Sequence, residues 1–98
     1  VSKDAVVKNS IVSEGAVILG VVENSIIFSG VTVGENATVK DSVIMADVEI
    51  GSNCVINYSI IDEMVKIGAN LKIGKPKSEN SEITVIPRES VINNMQEG

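Results

Sequence analysis

Few side chains of this 98-residue chain could do chemistry. They are one thiol, Cys54, a spread of carboxylates at Asp41, Asp47, Glu49, Asp62 and Glu63, and three amines, Lys72, Lys75 and Lys77, in the stretch KIGKPKSEN; histidine is absent. A thiol becomes a nucleophile when a cation or a helix N-terminus lowers its pKa, and nothing cationic is spaced to do so for Cys54. Carboxylates hold a metal when several converge on one point. The three lysines offer donors to an anion, diluted by Glu79 and Glu82 close by. Gly34, Gly51 and Gly68 form neither a G-x-G-x-x-G fingerprint nor a P-loop. Whether any of these groups meet depends on the elements that carry them.

Those elements follow from a repeat. SIIFSGVTVGENATVKD from Ser25, SVIMADVEIGSNCVINY from Ser42 and SIIDEMVKIGANLKIGK from Ser59 superimpose without gaps at a period of 17 residues. SIVSEGAVILGVVEN from Ser10 fits the same frame with two residues missing, and EITVIPRESVI fits if Ile86 and Ile92 take the places of Ile67 and Ile73. Within each repeat aliphatics recur at intervals of six, six and five: Ile27, Val33, Val39; Ile44, Ile50, Ile56; Ile61, Ile67, Ile73. Two residues before each stands a small or aliphatic partner, among them Ser25, Ser42, Ser59, Ala37, Cys54 and Leu71. Residues two apart share one face of a strand, so both sets point inward. The pairing at i and i+2, broken by glycines, conflicts with a helical period.

Three short strands and three corners close a triangle, and stacking triangles in register gives an all-β parallel β-helix of about five coils, one domain over residues 1–98. Gly34, Gly51, Gly68 and Gly74 are read as corners that need positive φ or little bulk. No long loop is expected between coils. Cys54 is expected in the inward column between Ala37 and Leu71, buried and inert. The five carboxylates are expected on different faces and corners as solvated surface, and no metal site is assigned. Each inward Val or Ile contributes about 1.5–3 kcal/mol of burial, set against about 1–2 kcal/mol of ordering per residue. Coils therefore hold only as a stack.

Composition narrows the partners. A net charge of −5 with scattered cations lacks the basic footprint of a nucleic-acid or anionic-membrane binder. No apolar run approaches the length of a membrane span. A single cysteine cannot close an intrachain disulfide, and the expected location is the cytoplasm. The start at Val1 suggests a fragment of a longer protein.

The units VGENAT, IGSNCV and IGANLK resemble the hexapeptide-repeat proteins, whose fold is the left-handed parallel β-helix; spacing alone leaves the hand open. The stretches KNSIVSEGAVI, VENSIIFSGVTVGENATVKDSVIMADVEIG and SIIDEMVKIGANLKIG resemble more narrowly the carboxy-terminal domain of bacterial glucose-1-phosphate adenylyltransferases. The likeness is strong over Lys8 to Gly74 and loose over Ile83 to Ile92. Glu63 and Met64 stand where that family often carries Lys-Asn, and IPRESV lacks a corner glycine. Both departures lean toward the family's regulatory-type subunit.

The resemblance implies a parent that makes ADP-glucose for glycogen from ATP and glucose 1-phosphate. It implies for this segment a non-catalytic role, without cofactor, in assembly and allosteric control, with the amino-terminal catalytic domain and sister subunits of a homo- or hetero-oligomer as partners. Lys72, Lys75 and Lys77 are the candidate contact for an anionic effector; a solubilising loop is the plainer alternative. A stand-alone hexapeptide-repeat binding or scaffold protein is the alternative. An acyltransferase, or a zinc carbonic anhydrase, of this fold would use histidines that the chain lacks.

One feature points outward. In this register Ile11, Ile26, Val43 and Ile60 lie between inward neighbours, one above another on one side of the prism. A stacked apolar ridge is the expected interface; the alternative is that the five-residue side is distorted and tucks these residues into a corner. With strand edges open at the ends of the stack, the chain is also expected to self-associate.

Overall fold

In the computed structural model, which describes residues 5–78 and 80–93, fifteen strands of two or three residues follow one another with no helix among the described residues. They sort by threes into three parallel five-stranded sheets. Sheet A takes β1 (Val6–Lys8), β4 (Val21–Glu23), β7 (Thr38–Lys40), β10 (Val55–Asn57) and β13 (Lys72–Ile73). Sheet B takes β2 (Ile11–Val12), β5 (Ile26–Ile27), β8 (Val43–Ile44), β11 (Ser59–Ile61) and β14 (Thr84–Ile86). Sheet C takes β3 (Val17–Ile18), β6 (Thr32–Val33), β9 (Glu49–Ile50), β12 (Lys66–Ile67) and β15 (Val91–Ile92). The chain visits A, B and C in turn, so each circuit is one coil of a three-sided solenoid, and each strand pairs with its counterpart one coil away.

The core is the inside of the triangle. Ile27, Val33, Val39, Ile44, Ile50, Ile56, Ile61, Ile67 and Ile73 are all buried, as are their partners Ser25, Val31, Ala37, Ser42, Val48, Cys54, Ser59, Val65 and Leu71. Both columns expected from the repeat therefore point inward.

Gly34, Gly51 and Gly68 do not take positive φ. The left-handed residues at that corner are Asn36, Asn53 and Asn70, at φ of 61°, 60° and 64°, a conformation asparagine adopts more readily than most residues. What Gly34 and Gly51 supply is closeness. A Cβ on Gly51 would lie 2.7 Å from the Gly68 carbonyl carbon and the Ala69 nitrogen, and one on Gly34 would lie 2.6 Å from the Ser52 nitrogen. The two residues missing from the first coil fall at this same corner: Ile18 pairs with Val33 and Val21 with Thr38, so Leu19–Gly20 covers a corner that later coils turn with two residues more.

The A-to-B corner is held by a serine spine. Asn9, Asn24, Asp41 and Tyr58 turn through positive φ, and the serine after each donates its hydroxyl to the carbonyl two residues back: Ser10, Ser25, Ser42 and Ser59, at 2.7–2.8 Å. The backbone N–H groups of Ser25, Ser42 and Ser59 in turn donate to the hydroxyl of the coil below at 3.0–3.1 Å. A polar side chain inside an aliphatic core is thereby satisfied on both sides. Seventeen residues beyond Ser59 stands Pro76, which has no N–H to continue the ladder.

The last coil corrects the expected register. Ile86 pairs with Ile61 and Ile92 with Ile67, one side of the triangle earlier than the expected matches with Ile67 and Ile73. The cause is an insertion, which also overturns the expectation that no long loop separates coils. Successive inward residues across this corner are Ile56 and Ile61 in the fourth coil but Ile73 and Ile86 in the fifth, eight residues more. Gly74, at φ 76°, leaves the frame, and its Cβ position lies 2.0 Å from the Asn57 carbonyl oxygen. The loop is knotted by Ser81, whose hydroxyl donates to the Pro76 carbonyl at 2.7 Å and lies 2.8 Å from that of Ser78.

Candidate functional surfaces

Cys54 sits on the inward C-to-A corner, fully buried between Ala37 and Leu71, with its Sγ 2.9 Å from the Gly68 carbonyl oxygen. It has no solvent-exposed surface. The carboxylates are dispersed. Asp41 turns the A-to-B corner and Asp47 the B-to-C corner, at φ 53° and 60°. Glu49 stands outward on sheet C, 3.9 Å from Lys66, and Glu63 lies 3.8 Å from Arg88. Asp62 accepts the Glu63 backbone N–H at 2.7 Å. Among the described residues no group of three or more His, Cys, Asp or Glu is placed to hold a metal.

The lysines divide. Lys72 and Lys75 line an open cleft of about 960 Å³ at the inserted loop, together with Ile73, Ile86, Ser81 and Glu82. Lys77 is not on that cleft; its Nζ lies 5.8 Å from the centre of the Tyr58 ring, a cation–π contact that lays the loop against the fourth coil. The trio expected to share an anion is thus two cleft residues and one strap.

The outward ridge is present and longer than expected. Ile11, Ile26, Val43, Ile60 and Val85 are register partners in successive strands of sheet B. The ends are the most exposed, Ile11 at 66% and Val85 at 59%, with Ile26 at 42% and Val43 and Ile60 half-buried. A second column runs beside it, because the ladder continues two residues on: Phe28, Met45 and Asp62 each donate a backbone N–H to the coil above at 2.9–3.0 Å. Ser13, Phe28, Met45, Asp62 and Pro87 occupy that column. Of these ten positions Asp62 alone is charged. Sheet A carries Lys8, Glu23, Lys40 and Lys72 outward beside Val6, Val21 and Val55, and sheet C carries Glu49 and Lys66 beside Val17 and Val91. The two-residue period that found Ile26 and Val43 reaches Phe28 and Met45 as well; Val85 was hidden by the insertion.

No helix among the described residues is long and apolar enough to cross a membrane. Comparison with known proteins adds two findings. Residues 2–92 match the protein family described as "GlmU-like, C-terminal hexapeptide". The chain is also similar to proteins named glucose-1-phosphate adenylyltransferase: 61% identical to that of Thermosipho melanesiensis over 94% of this chain and 24% of that protein. Shorter matches are 68% identical to the Pseudothermotoga lettingae protein, over 32% of this chain and 7% of the relative, and 51% identical to the Bacillus subtilis protein, over 40% and 10%. The chain thus spans at most about a quarter of the relatives it matches.

Proposed function

The chain belongs to the GlmU-like C-terminal hexapeptide family, and from that premise we propose that this left-handed parallel β-helix is the non-catalytic domain of a cytoplasmic glucose-1-phosphate adenylyltransferase. Its role is to support subunit assembly and to transmit allosteric control of ADP-glucose formation from ATP and glucose 1-phosphate. The observation that carries the reading is the 61% identity to such an enzyme along nearly the whole chain. The distribution of polar groups supports it. The thiol is buried in the core, the carboxylates are dispersed, and sheet B presents an apolar face to solvent.

In this reading the face of sheet B meets another part of the assembly, and the Lys72–Lys75 cleft at the inserted loop is where an anionic effector contacts the domain. The experiment uses the reading frame that contains this segment. The full-length product is expected to release pyrophosphate from ATP and glucose 1-phosphate, the 98-residue chain alone to release none, and the product lacking this segment to change its subunit number or its response to effectors. A truncated enzyme with unaltered assembly and regulation defeats the proposal. So does a reading frame with no nucleotidyltransferase sequence, which would support a stand-alone scaffold instead.

A further inference from the structure

The borders of the apolar face differ in charge. Along the B-to-C edge stand Glu14, Asp47, Asp62, Glu63 and Glu89 with one cation, Arg88, already beside Glu63. Along the A-to-B edge stand Lys8, Lys40, Lys75 and Lys77, mixed with Glu23, Asp41 and Glu82. Taken whole, the B-to-C edge carries five acids and one cation, and the A-to-B edge four cations and three acids. The first coil carries Glu14 on one border and Lys8 on the other; the third carries Asp47 opposite Lys40 and Asp41. The fourth carries Asp62 and Glu63 opposite Lys77, which lies over Tyr58 of that coil. The fifth carries Glu89 beside Arg88 in the turn before β15, and Lys75 with Glu82 between β13 and β14. The second coil has no acid on the B-to-C border, and its A-to-B border carries Glu23, engaged by Lys40 at 3.9 Å.

We propose that the face of sheet B is a two-fold interface with a second copy of this chain, the two stacks running parallel. A two-fold axis parallel to the stack turns each face onto its own image with left and right exchanged. The acidic border of one copy then lies along the lysine-bearing border of the other, twice, with equal coils at equal heights. A two-fold axis across the stack would instead set the acidic borders against each other, a repulsive arrangement. Facing sheets pack with aligned strands and interleaved side chains, and the columns from Ile11 to Val85 and from Phe28 to Pro87 supply the apolar layer between them. The inference deepens the assembly half of the function proposed above and rests on it. Its test reads self-association alone, so its failure is separable from a failure of the adenylyltransferase assignment.

Sedimentation velocity of the 98-residue chain in about 0.1 M NaCl is expected to show a dimer, and Ile26→Asp with Val43→Asp a monomer. E14K/E89K is expected to weaken dimerisation at least tenfold, and K8E/K75E likewise. Combining all four substitutions restores it, because both borders are then inverted together. The differences should fade in about 1 M NaCl, where screening shortens to roughly 3 Å. Circular dichroism of each variant checks that the fold is kept. A folded chain that stays monomeric overturns the proposal and leaves the adjoining part of the longer polypeptide as the occupant of the face. A dimer indifferent to Ile26→Asp and Val43→Asp, or a fourfold variant no better than either double, overturns it too.

Discussion

Gly51 and Gly68 hold the same place in successive coils, yet they answer differently to an added methyl group. Above Gly51 the next corner approaches to 2.7 Å, whereas the nearest atom to a Cβ on Gly68 is at 3.5 Å. Gly51→Ala must push two stacked corners apart and is expected to cost about 1–3 kcal/mol. Gly68→Ala should fall within about 0.5 kcal/mol of the parent, as most unstrained substitutions do. Thermal unfolding of the two variants checks this, and equal losses would mean that the corners are not stacked as described. The serine spine makes a second demand at this scale. Ser42→Ala strands the buried N–H of Ser59, which donates to the Ser42 hydroxyl at 3.1 Å, and is expected to cost about 1–3 kcal/mol. Urea denaturation measures the loss, and an unchanged midpoint would mean that the hydroxyl is dispensable. The three ion pairs among the described residues, at 3.8–3.9 Å between exposed or half-exposed side chains, contribute little by comparison.

Among the elements, what could be read in the sequence was whatever the inside of the triangle enforces. A strand facing a narrow core tolerates few residue types, so Ile44, Ile50 and Ile56 advertise their positions, and the ridge from Ile11 to Ile60 follows by parity. Corners were harder. The left-handed asparagines Asn36, Asn53 and Asn70 leave only a weak mark because other corners give the same conformation to Tyr58, Met64 and Glu89. The inserted loop leaves little mark because Pro76, Ser78 and Ser81 look like ordinary turn residues, and it sets the fifth coil one side away from the register that the spacing predicts. If those eight residues are only an insertion, they are removable. Deleting 75–82, with Ile83→Asn to suit the place that Tyr58 holds at φ 45°, restores the five-residue step between inward isoleucines. Shortening the closure gains roughly 0.8 kcal/mol, against the lost Lys77–Tyr58 contact, so the variant is expected to melt within a few degrees of the parent. A shortened chain that fails to fold would show that the loop braces the last coil.

The whole molecule is a solenoid that fills its interior with aliphatics and leaves one broad apolar side and two sides of mixed apolar and charged residues. Such a body suits joining and positioning, and the proposals above divide that labour between the face of sheet B and the cleft at the loop. Both depend on the same vertical register, coil upon coil at a separation of about 4.8 Å. In a Cys54→Ala chain, cysteines placed at Thr32 and Glu49, outward register partners on sheet C, lie within reach of an intrachain disulfide, whose Cα atoms span roughly 4.4–6.8 Å. Cysteines at Thr32 and Lys66 are two coils apart and beyond that reach. Mass spectrometry after mild oxidation should find the first pair closed and the second open; an open first pair, or two pairs that close equally, would contradict the stacked triangle.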